Sequence, residues 1–326
     1  MRRLLPVLPL TTVLAGCSGV QAMSEGAGFG SHLFNQLMVL FLVVTGISYA
    51  LVLIFLTVAV VGRRNEGGEA RLKTLLIAWV GFILIGLILL TLVSFMSDRR
   101  EAREGADQTP LKVTISANQW WWGVEYQNDD PTQIVHTANE LHLPVGRPVQ
   151  FKLNASDVIH SLWIPALAGK QDLIPGRDND VRIVPTRIGR YRAQCAEFCG
   201  LQHAHMAFDV TVESPKAFAA WYAAQLKPPP EPTDPGVKGG QDFFMTHACA
   251  NCHTIAGTPA GGRTGPDLTH IASRSTIAAG TLPMSRGNLM GWIANPQGVK
   301  PGARMPAVGM TPDELHAVAS YLETLK

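Results

Sequence analysis

The stretch Cys195-Ala196-Glu197-Phe198-Cys199-Gly200-Leu201-Gln202-His203-Ala204-His205-Met206 crowds two thiols, two imidazoles, a carboxylate and a thioether into one short segment. A further imidazole stands upstream in Asp157-Val158-Ile159-His160-Ser161. Soft thiolate and imidazole donors with a weak thioether suit copper in an electron-transfer role. Two thiolates four residues apart on one loop can bridge two metal ions, and His160 and His203 can then supply one terminal imidazole each. Met206 can approach one copper as a weak axial ligand, and the Glu197 carbonyl the other. A Cys195–Cys199 disulfide or a zinc ion held by two Cys and two His would use the same residues differently.

Outward from that segment, strand-like runs at 111–117, 149–153, 181–184, 190–193 and 207–212 alternate with Pro144, Gly146, Pro175-Gly176 and Gly189. Short strands at this spacing predict a β-sandwich or barrel over 110–226. Ser214-Pro215 starts a helix, with Ser as N-cap and Pro in the first turn, carrying Phe218, Trp221 and Leu226. His136 and His142 read as solvated or structural. Residues 227–236, opening Lys227-Pro228-Pro229-Pro230, form a semi-rigid linker.

The remaining segment, 237–326, is small and helical in pattern, within the size range where a cofactor commonly supplies the missing core. It holds Cys249-Ala250-Asn251-Cys252-His253, the pattern of covalent c-type haem attachment. Two thioether bonds fix the porphyrin, and His253 is placed to ligate iron. A redox dithiol or half a zinc site would show the same Cys-x-x-Cys. Candidates for a sixth ligand are Met284, Met290, Met305 and Met310, with His247, His270 and His316 weaker. Met305 precedes Pro306 and stands one loop before the last helix. A thioether raises the haem potential relative to a second imidazole. Thr311, Pro312 and Glu314 start that helix as a capping box, and Leu315, Val318, Ala319, Leu322 and Leu325 give it one apolar stripe.

Toward the N-terminus the chain changes character. Charged residues make up only 16 % and the mean hydropathy is +0.13, which points to membrane segments. Residues 37–61 and 75–96 contain no charge, and each exceeds the roughly 20 apolar residues that a spanning helix needs. Between them Arg63, Arg64, Arg71 and Lys73 outnumber Glu66 and Glu69, placing the loop in the cytoplasm and both outer ends outside. A transmembrane hairpin over 33–97 follows. Residues 1–16 read as a secretory signal, and Leu14-Ala15-Gly16-Cys17 resembles a bacterial lipoprotein box that would lipidate Cys17. A net charge of +2 gives no basic face for nucleic acid. The five cysteines thus divide into one lipid site and two cofactor sites rather than disulfides.

The spacing of Cys195, Glu197, Cys199, His203 and Met206, with His160 in Asp-Val-Ile-His-Ser, resembles the binuclear copper (CuA) site of cytochrome c oxidase subunit 2. The resemblance extends through Gln119-Trp120-Trp121-Trp122, Lys170, Asp172 and Pro175-Gly176-Arg177. It implies a cupredoxin-like Greek-key barrel, selects His203 over His205, and puts Trp120 on the electron path into copper. It also implies that the Glu197 side chain helps bind magnesium at the interface with subunit 1. The run Gly240, Phe244, the haem motif, Gly265-Pro266-Asp267-Leu268 and Arg304-Met305-Pro306 resembles class I cytochrome c, an all-α fold.

Together they resemble subunit 2 of caa-type oxidases, a two-pass protein of the bacterial inner membrane with both cofactor domains outside. Its expected partners are oxidase subunits 1 and 3 and a periplasmic donor, cytochrome c or respiratory complex III. Electrons would pass through haem c to CuA and on to haem in subunit 1, which reduces oxygen. A copper-containing nitric oxide reductase subunit and a membrane-tethered copper-binding or assembly protein are the alternatives. The family's second helix carries an Ile-Trp-x-x-x-Pro pattern after an acidic residue. Here no proline follows Trp79, which leaves Glu66 and Glu69 without an assigned proton-channel role.

Overall fold

The computed structural model describes residues 19–62 and 68–326. The expected signal segment, Cys17, and the loop residues Arg63, Arg64 and Glu66 lie outside them. Two long helices, α1 (Phe29–Val61) and α2 (Glu69–Arg103), form the hairpin. Both reach beyond the expected 33–97. At the start, the Ser31 hydroxyl bonds the Gly28 N–H and the Ala166 carbonyl, so the first turn is held by the domain above it. At the far end, Asp98 to Arg103 favour helix as readily as solvent, and α2 simply continues past its apolar stretch.

Residues such as Leu42, Ile54, Ile85 and Leu87 are exposed around these helices, as expected of a surface that faces lipid rather than water. The helices touch where Phe55 meets Trp79, ring centroids 6.1 Å apart. The hairpin is tied to the barrel at both feet. Ala27 and Phe29 N–H groups donate to the Ala166 and Val184 carbonyls at 2.8 and 3.0 Å. A side chain at Gly28 would strike the Leu167 carbonyl oxygen at 2.1 Å. On the second foot, the Arg182 guanidinium donates to the Gly105 carbonyl.

The barrel contains β1 (Leu111–Asn118), β2 (Trp121–Tyr126), β3 (Val135–Ala138), β4 (Glu140–Pro144), β5 (Val149–Ala155), β6 (His160–Trp163), β7 (Gln171–Leu173), β8 (Asn179–Ile183), β9 (Gly189–Cys195) and β10 (Ala207–Glu213). They make two sheets, ordered β3-β2-β1-β5-β8 and β4-β10-β9-β6-β7. The β1–β5 and β4–β10 pairs are parallel and the others antiparallel, and the chain changes sheet after β3, β4, β5, β7 and β8. Alternation along each strand turns Val113, Ile115, Phe151 and Leu153 toward Leu141, Leu143, Phe208 and Val210 in one buried core. Helix α3 (Pro215–Gln225), capped by Ser214, closes one end. There Trp221 packs on Tyr126 and stacks on His142, whose Nδ1 lies 2.9 Å from Glu213.

The C-terminal domain holds α4 (Pro235–Thr246), α5 (Cys249–Cys252), a ribbon of β11 (Thr276–Ile277) and β12 (Leu282–Pro283), then α6 (Arg286–Ala294), α7 (Pro296–Val299) and α8 (Pro312–Thr324). Helix α4 begins inside the stretch expected as linker, because the Asp234 carboxylate caps the Gly236 and Val237 N–H groups. The first and last helices cross at Gly240, where any side chain would lie 2.0 Å from the Ala317 carbonyl oxygen. The Thr311–Glu314 capping box is formed.

Candidate copper and haem sites

Strand β9 ends at Cys195, and β6, its sheet neighbour, begins at His160. The sheet therefore delivers His160 to the thiols from far away in sequence, while the loop back into β10 brings Cys199, His203 and Met206. The sulfurs of Cys195 and Cys199 are 3.7 Å apart and unbonded. His160 Nδ1 lies 3.8 Å from the Cys195 sulfur, and His203 Nδ1 3.6 Å from that of Cys199. The Met206 sulfur is 3.9 Å from Cys199, and the Cys195 sulfur lies 3.2 Å from the Glu197 carbonyl oxygen.

The hydrogen bond between the two thiols lowers the pKa of Cys195 and, with burial, raises that of Cys199. A thiol must lose its proton to ligate a metal, so copper binding here would release protons.

An outer layer orients this set. His160 is fully buried and its Nε2–H faces Asp157 Oδ1 at 2.9 Å, which leaves Nδ1 as the lone pair toward sulfur. Burial alone would raise Asp157, but hydrogen bonds from His160 and the Gln119 and Val158 N–H groups outweigh it and hold the carboxyl low. Glu197 points two ways, its carbonyl to Cys195 and its carboxylate outward to Lys170 at 3.2 Å. His205 bonds Gln202 instead of the sulfurs. Trp120 donates its indole N–H to the Cys199 carbonyl at 3.0 Å, and the Gln119 amide donates to the same oxygen at 2.8 Å. Two thiols, two imidazoles and a thioether converging in an apolar shell fit copper.

In the helical domain a cavity of about 260 Å³ is lined by Cys249, Cys252, His253 and Met305, with Trp292, Ile293 and Leu322 as apolar wall. His253 Nδ1 lies 2.7 Å from the Pro266 carbonyl. A carbonyl only accepts, so Nδ1 carries the proton and Nε2 is free to ligate iron. Burial keeps this imidazole neutral by lowering its pKa. Gly265 sits so close that a Cβ would lie 2.7 Å from the imidazole. Of the other ligand candidates only Met310 also lines the cavity; His270 bonds the Gln225 carbonyl and His247 stacks on Phe243. An apolar slot with two thiols, an oriented imidazole and a thioether fits haem.

Gln119, Trp120, Trp121 and Asn139 of the barrel line the same cavity, so its wall is shared between domains. Two buried cations stand at this junction. Arg274 bonds Glu140 at 3.3 Å and Thr137 at 3.2 Å. Lys300 donates to backbone carbonyls, and burial lowers its ammonium to about 7. Neither was marked by the sequence, since a lysine between turn residues reads as solvated and Arg274 belongs to no motif.

A membrane hairpin carrying a thiolate–imidazole centre in a β-barrel and a haem motif in a helical domain defines an anchored electron-transfer subunit. Two family models match this division: the periplasmic domain of cytochrome c oxidase subunit II over residues 128–214, and cytochrome c over residues 237–326. Cytochrome c oxidase subunit 2 of Alkalihalophilus pseudofirmus is 31 % identical over 99 % of this chain and 97 % of its own length. That of Bacillus sp. (strain PS3) is 32 % identical over 81 % of this chain and 80 % of its own. Among solved structures, the periplasmic domain of subunit II from Bradyrhizobium japonicum is 28 % identical over 35 % of this chain and 92 % of its own, with a TM-score of 0.33. The chain belongs to the cytochrome c oxidase subunit 2 family. It is thus an oxidoreductase subunit, anchored in a membrane with periplasmic domains, whose two domains imply CuA and haem c.

Proposed function

We propose that this chain is the electron-entry subunit of a bacterial plasma-membrane haem-copper oxidase. Electrons from a periplasmic donor enter at the haem domain, cross to the copper pair and leave for haem in subunit 1, where oxygen is reduced to water. The observation that carries this order is the shared wall. Trp120 lines the haem cavity and its indole bonds the carbonyl of Cys199.

When bound, haem and the copper pair supply the one-electron carriers; the chain holds and orients them. Cys249 and Cys252 would anchor the porphyrin, and His253 and Met305 would ligate its iron. His160, Cys195, Cys199, His203, Met206 and the Glu197 carbonyl hold copper. The outward Glu197 carboxylate is the group available for magnesium. Phe198, 77 % exposed beside it, offers subunit 1 an apolar contact. Lipidated Cys17 would add a second anchor to the hairpin.

The test is a chain truncated after Leu226, assembled with the other oxidase subunits. It should keep its copper absorption yet lose most donor-driven copper reduction in stopped flow. The severed cytochrome domain, added back, should restore it weakly, because a short tether supplies an effective concentration of about millimolar. Undiminished reduction by the donor would remove the haem domain from the main path.

A further inference from the structure

Lys300, in the loop after α7, is 1 % exposed, and its ammonium donates to the carbonyls of Trp120 at 2.9 Å, His205 at 2.8 Å and Ala278 at 3.0 Å. Among the described residues no carboxylate pairs with it. The three oxygens come from separate segments: the residue before β2, the copper-ligand loop, and the turn of the β11–β12 ribbon. A buried ammonium is costly unless its hydrogen bonds are made. These are complete only while copper domain and haem domain are pressed together.

The backbone on both sides is shaped to the same contact. Ala278 and Ala279 have φ of 52° and 56°, a region alanine rarely enters. That turn aims the Ala278 carbonyl at Lys300 and the Ala279 carbonyl at the Ala207 N–H, 3.1 Å away at the start of β10. Gly302, at φ 85°, lies so close to the Trp120 ring that a Cβ would be 3.3 Å from it. Arg304 then reaches Asp157 at 3.4 Å, the carboxylate that holds His160, and Met305 follows at the haem cavity. In sequence order, loop 300–305 touches the Trp120 carbonyl, the Trp120 ring, the partner of a copper ligand and the haem wall.

We propose that Lys300 is a positioning residue for electron transfer between the two cofactor domains, locking loop 300–305 onto Trp120 and thereby fixing their separation. The inference rests on the haem-to-copper order given above. A linker alone supplies proximity; orientation needs a rigid contact.

In the assembled oxidase, Lys300→Met retains the aliphatic stem without the donors. Transfer from reduced haem c to copper, followed after flash or stopped-flow reduction, should slow by about tenfold to a hundredfold, the penalty of a small misplacement. Copper and haem absorption and both midpoint potentials should be unchanged. Amide hydrogen exchange should rise at residues 276–283 and 300–305, a readout independent of turnover. Lys300→Arg should recover part of the rate. Wild-type transfer rate in Lys300→Met, or unaltered exchange, overturns the proposal. Should that variant fail to accumulate, Lys300→Gln, which keeps two donors, is expected to show intermediate slowing, and a wild-type rate there is equally fatal. Absence of haem-to-copper transfer in the unsubstituted protein would defeat the functional reading itself, before any variant is compared.

Discussion

In the barrel, the candidate copper donors are held by the polypeptide's own bonds: β6 and β9 are laddered together, Asp157 grips His160, and the sulfurs stand 3.7 Å apart. In the helical domain, the candidate haem ligands Cys249, Cys252, His253 and Met305 instead line an open cavity of about 260 Å³. The barrel has a continuous apolar core between two five-stranded sheets. The cytochrome domain packs Phe244, Leu289, Ile293, Val318 and Leu322 around the edge of a space that its cofactor must fill. One domain places ligands at the rim of a finished core; the other makes the cofactor part of the core.

Three experiments bear on that contrast. The largest effect belongs to Cys199→Ser, which would remove one of the two proposed bridging thiolates and should lower turnover by at least about a hundredfold. Covalent haem, seen by haem staining, should be intact, because the haem lies in another domain. Appreciable turnover with bound copper would dispose of the two-thiolate centre.

Next comes the double variant Cys249→Ala, Cys252→Ala, which abolishes covalent haem. If haem completes the core, hydrogen-exchange protection of 237–326 should fall markedly while 111–213 keeps its own. Removing copper with a chelator should leave protection in the barrel nearly unaltered. Equal sensitivity of the two domains would erase the distinction drawn here.

The smallest effect is expected for Met305→Ala. Haem stays attached, but loss of a thioether ligand should lower its midpoint potential by on the order of tenths of a volt. A redox titration of the intact subunit decides it. An unmoved potential would transfer the role to Met310, the other methionine on the cavity.

Most features whose parts lie close together in the chain were legible in the sequence. Cys195 to Met206, Cys249 to His253, the Thr311 capping box and the two uncharged spans are local patterns, and for the two cysteine motifs the resemblance chose among the metals and bonds that local chemistry allowed. His160 could be named as a candidate from its residue type, but its approach to Cys195 depends on β6 pairing with β9. The early start of α4 hid behind prolines that read as linker, though Asp234 caps it. Nothing in the chain around Lys300 or Arg274 distinguishes them from surface cations, because burial at a domain junction leaves no periodic trace. Their carbonyl and carboxylate partners lie as far as 180 residues away. The sequence by itself therefore determined the spans and the order of domains and pointed to copper and haem, because these are written in short-range donor spacing and hydropathy. Only the tertiary structure decided how the haem wall meets Trp120, because that junction is made by long-range contacts between segments whose local patterns carry no record of each other.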